Sequence, residues 1–216
     1  MKTIQAITHM DDLLFGNFAN YGFANVQVPD YILDSLSKET KEFNGTKLNY
    51  GLAGNIEHEY AIRDSVKDLE PFVASLCKEY TKAFDPQYSY HSMGYENFML
   101  EKCWVNYQKK YEFNPPHTHY GSFSFVIFLQ IPYSLQDEHN IPSVKDTNNP
   151  RAGMFSFQYS NIFGELQESP QPVDKSFEGR MFLFPSIMSH QVYPFYTSDE
   201  YRITVSGNMV GVNNEF

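Results

Sequence analysis

Three histidines and one arginine are the residues whose types and spacing could do chemistry in this chain. His117 and His119 stand one residue apart at the start of a long apolar run, and His190 and Arg202 follow much later. On a β-strand, side chains at positions i and i+2 point to the same face, so the first two imidazoles can reach one point. Imidazole binds iron, zinc, copper and nickel, and three protein ligands leave coordination positions open. We therefore predict a metal site built from His117, His119 and His190. The alternative for each histidine is a hydrogen-bonding role in the core or at the surface.

Arg202 predicts an anion-binding group near the same site. It lies in a strand-like segment, residues 200–206, where a buried guanidinium needs a partner. An arginine can hold a carboxylate through two parallel hydrogen bonds. Thr204 would project to the same face of the strand and could donate its hydroxyl to the same group. The alternative is an arginine on an edge strand that faces solvent.

The elements that must hold these residues are mostly short strands. Apolar, β-branched and aromatic residues between turn signals predict strands at 98–107, 123–131, 154–159, 176–184, 191–195 and 202–210. Two helices are predicted before them, one capped by Asp30 and ending at Asn44, and one from about Ser65 to Phe84. The polar segment 134–153 is predicted to be a loop or lid. Strands that follow helices indicate an antiparallel sandwich or barrel with helices packed outside.

Composition and charge favour one globular domain over residues 1–216 and exclude several classes of partner. The chain carries 19 Phe and 16 Tyr, which favour strands and an aromatic interior. Its net charge of −10 argues against binding to a nucleic-acid backbone. No apolar stretch approaches the roughly 20 residues of a membrane helix. The first residues lack a signal-peptide pattern, and the two cysteines suit a reducing compartment. We therefore expect a cytoplasmic protein without nucleic-acid or membrane partners.

Four segments resemble motifs of the 2-oxoglutarate- and Fe(II)-dependent oxygenases. They are residues 104–107 (WVNY), 114–119 (NPPHTH), 184–190 (FPSIMSH) and 202–208 (RITVSGN). The likeness is greatest to prolyl-hydroxylase-like members, many of them phage-encoded, and a phage origin would place the protein in a host cytoplasm. The resemblance implies a mainly β fold with flanking helices. Residues 97–210 would form a double-stranded β-helix (jelly roll) core, supported by the N-terminal α-helices and strands of residues 1–96.

The resemblance also implies a role for individual residues. His117 and His190 match the two histidines of the family's iron site. Arg202 matches the basic residue that pairs with the distal carboxylate of 2-oxoglutarate, and Thr204 matches the hydroxyl residue that assists it. Tyr107 lies where a strand tyrosine of some members also reaches the cosubstrate.

The chain departs from the family pattern at His119. This position holds a carboxylate in the usual triad of two histidines and one carboxylate. Three interpretations stay open at this point. His119 binds the metal itself, it leaves the position open, or a carboxylate such as that of Glu112 or Asp137 completes the triad.

The resemblance gives a leading hypothesis and leaves two rivals. In the leading one, Fe(II), 2-oxoglutarate and O2 are used to hydroxylate a C–H bond of a peptide, protein or amino-acid-like substrate. The first rival is a three-histidine cupin-type dioxygenase that needs no 2-oxoglutarate and leaves Arg202 without a task. The second is a non-catalytic jelly-roll binding module. Oxygen uptake without 2-oxoglutarate would favour the first rival, and a failure to bind iron would favour the second.

Overall fold

Ten strands form two antiparallel sheets in the computed structural model, which describes residues 21–43, 45–84 and 95–213. The strands are β1 (Ala24–Gln27), β2 (His58–Ala61), β3 (Asn97–Gln108), β4 (Asn114–His117), β5 (Phe123–Gln130), β6 (Phe155–Ser160), β7 (Leu166–Gln171), β8 (Arg180–Pro185), β9 (Ser189–Val192) and β10 (Arg202–Val212). The large sheet has the order β1-β8-β5-β10-β3-β2, and the small sheet has the order β4-β9-β6-β7. The predicted mainly β fold with a double-stranded β-helix core is confirmed.

Helices cover one face of the large sheet, as predicted. They are α1 (Asp30–Glu39) and α2 (Val66–Ala83), whose apolar residues join the core on that face. The short helix α3 (Leu135–His139) follows β5, and single 3₁₀ turns lie at Asn49–Gly51 and Lys175–Phe177. The apolar stripe of α2 recurs at helical spacing and is buried against β3. Its buried members are Leu69, Val73, Cys77 and Tyr80. Among the described residues, no helix is long and apolar enough to span a membrane.

An aromatic core fills the space between the two sheets. Phe155 and Phe157 of the small sheet meet Phe128, Phe182 and Phe184 of the large sheet, and all five are buried. Their ring centroids lie 5.0 to 6.3 Å apart in mostly edge-to-face pairs. Part of the high phenylalanine content therefore lies between the sheets, beside the pocket that holds the predicted site residues.

Several predicted boundaries need correction. Helix α1 ends at Glu39 rather than Asn44, and its N-cap is Pro29 rather than Asp30. Part of the predicted loop 134–153 is the helix α3. The sequence reading also missed β2, β4 and β7. Strand β4 was not predicted because it contains two prolines. Strand β7 was not predicted because it is a polar edge strand that contains one proline. The sequence also predicts a short extended segment at residues 2–7, which lie outside the described residues.

Candidate active site

The three predicted histidines come together at one end of the space between the sheets. His117 ends β4 and is paired directly with His190 of β9. His119 lies two residues beyond β4, where its backbone N–H donates to the carbonyl of Ser186 at 2.8 Å. The ring centroids are 4.3 Å apart for His117 and His190, 4.8 Å for His117 and His119, and 5.0 Å for His119 and His190. Their ligand atoms all lie within 4.8 Å of one another, so one metal ion could contact all three.

Backbone carbonyls fix the tautomers of two of these rings. The Nδ1 atom of His117 lies 2.7 Å from the carbonyl of Pro115, and Nδ1 of His190 lies 3.0 Å from the carbonyl of Met188. A carbonyl oxygen only accepts, so each Nδ1 carries the proton and donates. Each Nε2 then keeps its lone pair for a metal. Both bonds reach back two residues, so local backbone shape orients the ring in each case.

Burial keeps all three imidazoles neutral near pH 7. It lowers the pKa of His117, and with the nearby His117 and Lys102 it lowers the pKa of His119 to about 4. The pKa of His190 falls well below its usual range because that ring is buried beside the other two. A metal ion therefore does not compete with protons for these nitrogens near neutral pH.

Neither carboxylate considered as a third ligand belongs to this cluster. The Glu112 carboxylate accepts hydrogen bonds from the backbone N–H groups of Glu57 at 2.9 Å and Lys109 at 2.7 Å. The Asp137 carboxylate is bonded to the hydroxyl of Ser134 at 2.7 Å. Within the described residues the potential ligand cluster contains histidines alone. The interpretation in which Glu112 or Asp137 completes a triad is therefore wrong.

A cavity of about 40 Å³ extends from the histidines along β3 and β10. The pocket-facing side chains of β3 alternate as Trp104, Asn106 and Gln108. They are paired across the sheet with Ser206, Thr204 and Arg202 of β10, respectively. Trp104 lies against His119, with ring centroids 5.7 Å apart. The pair Gln108 and Arg202 lies four residues along the strands from the pair Trp104 and Ser206, which is about 13 Å at 3.3 Å per residue. The pocket thus has a histidine end and an arginine end.

Arg202 is buried at the arginine end, with 1% of its surface exposed. Its Nε and Nη2 atoms donate to Gln108 Oε1 at 3.1 and 2.5 Å. Nη1 donates to the Tyr133 hydroxyl at 2.6 Å and to the carbonyl of Gly153 at 3.1 Å, and Nη2 also donates to the carbonyl of Tyr193 at 3.2 Å. All of these acceptors are neutral. Among the described residues, no carboxylate lies within ion-pair distance of Arg202.

Polar side chains line the cavity between its two ends. Thr204 Oγ1 accepts a hydrogen bond from Asn106 Nδ2 at 3.2 Å. The amide oxygens of Asn106 and Asn114 are buried and have no hydrogen-bond partner within the described part of the chain. Both residues line the cavity. Its wall therefore suits a polar ligand or ordered water, since buried polar atoms are normally satisfied.

The prediction for Tyr107 is corrected by the structure. Its hydroxyl donates to the backbone carbonyls of Thr40 at 2.8 Å and Glu42 at 3.2 Å, on the helix-covered side of the large sheet. Successive side chains of a strand point to opposite faces, so Tyr107 faces away from the pocket that its neighbours Asn106 and Gln108 line.

Two residues at the arginine end were missed by the sequence reading. Gln108 could have been found by counting forward in steps of two along β3 from Trp104 or Asn106, once either was known to face the pocket. Tyr133 carries no sequence signal, since it lies outside any strand, in the connection between β5 and α3. Gly153 permits the approach of Tyr133 to Arg202. Its φ is +76°, and a Cβ at this position would lie 2.7 Å from the Tyr133 ring.

Comparisons with known proteins agree with this geometry. Residues 102–208 match the family described as "Putative 2OG-Fe(II) oxygenase". No curated protein sequence matches the chain. Among solved structures, the non-heme alpha-ketoglutarate-dependent epimerase SnoN from nogalamycin biosynthesis is similar, with a TM-score of 0.56 and 13% identity over 88% of this chain and 78% of that one.

Two bacterial structures give the same picture. A prolyl-4-hydroxylase from Pseudomonas putida has a TM-score of 0.52 and 14% identity, over 89% of this chain and 94% of that one. An oxidoreductase of the 2OG-Fe(II) oxygenase family from Burkholderia pseudomallei has a TM-score of 0.51 and 12% identity, over 88% of each chain. At such low identities these structures establish the shared fold.

Proposed function

Because this chain belongs to the 2-oxoglutarate- and Fe(II)-dependent oxygenase superfamily, we propose that it hydroxylates a C–H bond of a peptide, protein or amino-acid-like substrate. One observation carries the proposal. Three neutral imidazoles converge at one end of a cavity, and a buried arginine without a carboxylate partner among the described residues lies at the other end. An oxidoreductase that uses Fe(II) and 2-oxoglutarate needs both of these features.

The residues at the histidine end fit an iron ion. His117, His119 and His190 would hold it through nitrogens, with the Nδ1 bonds of His117 and His190 keeping those two rings in place. When bound, Fe(II) with 2-oxoglutarate supplies the oxygen activation that no side chain can supply. The chain itself orients the ligands and keeps water out. Phe155 stacks on His190 at 5.6 Å and Phe184 meets the same ring edge-on at 4.7 Å.

His119 would stand in the place of the family's carboxylate. We propose that it binds the metal, since its ring lies within 5.0 Å of both other histidines and is buried beside Trp104. A neutral ligand in place of an anionic one leaves more positive charge on the metal and changes its reduction potential.

Arg202 would bind the distal carboxylate of 2-oxoglutarate, with help from Thr204. A buried cation whose hydrogen-bond acceptors are all neutral favours an anionic ligand. Thr204 lines the cavity two residues along β10 from Arg202. The Tyr133 hydroxyl accepts a hydrogen bond from Nη1 of Arg202 at 2.6 Å and helps to hold the guanidinium in place.

The absence of a carboxylate from the described ligand cluster favours one second candidate, a three-histidine dioxygenase that uses no 2-oxoglutarate. This candidate explains His119 directly. It gives no role to the buried charge of Arg202, which the leading proposal explains.

The test of the proposed function is 2-oxoglutarate turnover by the purified chain. With Fe(II) and O2, wild type should convert 2-oxoglutarate to succinate, slowly without a prime substrate, and His117→Ala should not. His139→Gln changes a histidine remote from the cluster and is the control. Oxygen uptake that needs Fe(II) but not 2-oxoglutarate would support the second candidate. An absence of both reactions would contradict the proposed function.

A further inference from the structure

Arg202 already has a partner where a ligand carboxylate would bind. Its Nε and Nη2 atoms form one edge of the guanidinium, and both donate to Gln108 Oε1, at 3.1 and 2.5 Å. A carboxylate pairs with arginine along such an edge, through two parallel hydrogen bonds. Gln108 is 3% exposed and lines the cavity. A neutral amide of the chain thus occupies the position of an anion.

The remaining partners of Arg202 are fixed parts of the fold. Gly153 and Tyr193 contribute backbone carbonyls. The Tyr133 hydroxyl donates to the Gly153 carbonyl at 2.7 Å, and its ring stacks on Phe195 at 4.9 Å. Of these contacts, Gln108 alone lines the cavity. A carboxylate that enters from the histidine end therefore meets the Gln108 edge of the guanidinium.

One hydrogen bond holds the Gln108 side chain in this orientation. Its Nε2 atom donates to the carbonyl of Glu112 at 2.5 Å, in the turn that follows β3. The Glu112 carboxylate in turn accepts from the backbone N–H of Lys109, so the turn is closed on itself. The chain itself therefore places the amide with its oxygen toward Arg202 before a ligand enters.

We propose that Gln108 determines which 2-oxo acid the pocket accepts, because the distal carboxylate of the acid must displace the Gln108 amide from Arg202. The inference rests on the proposed function. A carboxylate is the stronger partner for a guanidinium because its bonds are charge-assisted, so it can replace the amide. Gln108 then weakens the net affinity for 2-oxoglutarate, and its length limits how far a diacid extends toward Arg202.

The experiment compares Gln108→Ala and Gln108→Glu with wild type in anaerobic titrations of the Fe(II)-loaded protein, followed by the visible band of the 2-oxoglutarate chelate. Gln108→Ala should bind 2-oxoglutarate at least about threefold more tightly, and it should gain more for 2-oxoadipate, which is one methylene longer. Gln108→Glu should bind 2-oxoglutarate at least about tenfold more weakly, since its own carboxylate takes the place of the ligand's. Gln136→Glu, the same change on the exposed face of α3, should match wild type.

The outcomes separate this inference from the function on which it rests. Weaker binding by Gln108→Ala would overturn the inference, because it would show that Gln108 holds the cosubstrate rather than competing with it. Equal binding by wild type, Gln108→Ala and Gln108→Glu would overturn it as well. A band with Gln108→Ala but not with wild type would support it strongly. If no form shows a band although Fe(II) binds to all of them, the proposed function fails, and the inference fails with it.

Discussion

The two ends of the pocket differ in how ready they are for a ligand. At the histidine end, the backbone bonds at Nδ1 of His117 and His190 leave the metal-binding nitrogens available. At the arginine end, the N–H groups of Arg202 are already bonded to Gln108, Tyr133 and backbone carbonyls. The first end is assembled for its ligand. The second end must exchange one partner for another.

The two ends share one property, which is that neither carries a carboxylate among the described residues. The metal ligands are neutral, and the buried arginine is balanced by neutral acceptors. A bound metal would add positive charge to a pocket that already holds a cation. Negative charge then has to come from the ligand, and a dianion such as 2-oxoglutarate supplies it at both ends.

The largest expected effect is the loss of the histidine end. His190→Ala should weaken Fe(II) binding by about 100-fold or more, because it removes one of three ligands from a site without charged ones. Isothermal titration under anaerobic conditions would measure this, with His139→Gln as the control. Unchanged Fe(II) affinity in a folded His190→Ala variant would place the metal elsewhere.

Loss of the arginine end should leave the metal site unaffected. Arg202→Met keeps most of the side-chain length but removes the charge and all of its N–H donors, so 2-oxoglutarate affinity should fall by about 100-fold. Fe(II) affinity should stay within about twofold. Arg202→Lys restores the charge without the planar edge and should recover only part of the loss. A parallel loss of metal binding in a folded variant would mean that the two ends are not separable.

The buried carboxyl group of Glu59, just outside the pocket, should make the stability of the protein depend on pH. Glu59 is paired with Asn106 across β2 and β3 and is 1% exposed. Burial, and then the charge of Glu112, raises the pKa of Glu59 from its ordinary 4.5 to about 7, although Lys102 opposes the shift. The folded state therefore holds a proton that the unfolded state releases between these two values, and stability falls as pH rises through that window.

Glu59→Gln should remove this pH dependence. Urea unfolding at pH 5 and pH 8 should show that wild type loses about 2 kcal/mol more than the variant between the two values. At pH 8 the variant should be the more stable protein. Equal pH slopes for both would show that Glu59 is ionised in the fold near neutral pH.

Thr204 should have the smallest effect among the residues proposed to bind a ligand. Thr204→Val removes the hydroxyl but keeps the shape, so 2-oxoglutarate affinity should fall by about threefold. The matched change Ser206→Ala lies nearer the histidine end, and its effect on the same affinity should be smaller. A larger loss for Ser206→Ala would shift the carboxylate site away from Arg202.

The histidine end was predictable because its signal is local. The spacing of His117 and His119 predicted that both rings reach one point, which holds although His119 lies beyond the end of β4, and the apolar run after them marked β5. The arginine end was only partly predictable. Arg202 stood out as a charge in a β run, but its partners Gln108 and Tyr133 come from other parts of the chain.

The error at Tyr107 has a physical cause. Residues 103–108 of β3 are all buried, because both faces of the large sheet are covered there. Alternation of apolar and polar residues then disappears, and the sequence no longer shows which parity faces the pocket. Helix α2 packs on the sheet and buries the outer face of β3. The sequence of β3 therefore does not show which of its side chains face the site.

The central claim is that His119 binds the metal in place of a carboxylate. The most direct test is an anaerobic titration with Fe(II) and then 2-oxoglutarate, carried out on wild type, His119→Ala and His119→Asp. We expect wild type to bind Fe(II) and develop the visible chelate band, and His119→Ala to lose at least about tenfold in Fe(II) affinity. His119→Asp, which restores the usual triad, should bind Fe(II) and shift the band. If His119→Ala instead matches wild type in both titrations, His119 is not a ligand, and the account of the histidine end is contradicted.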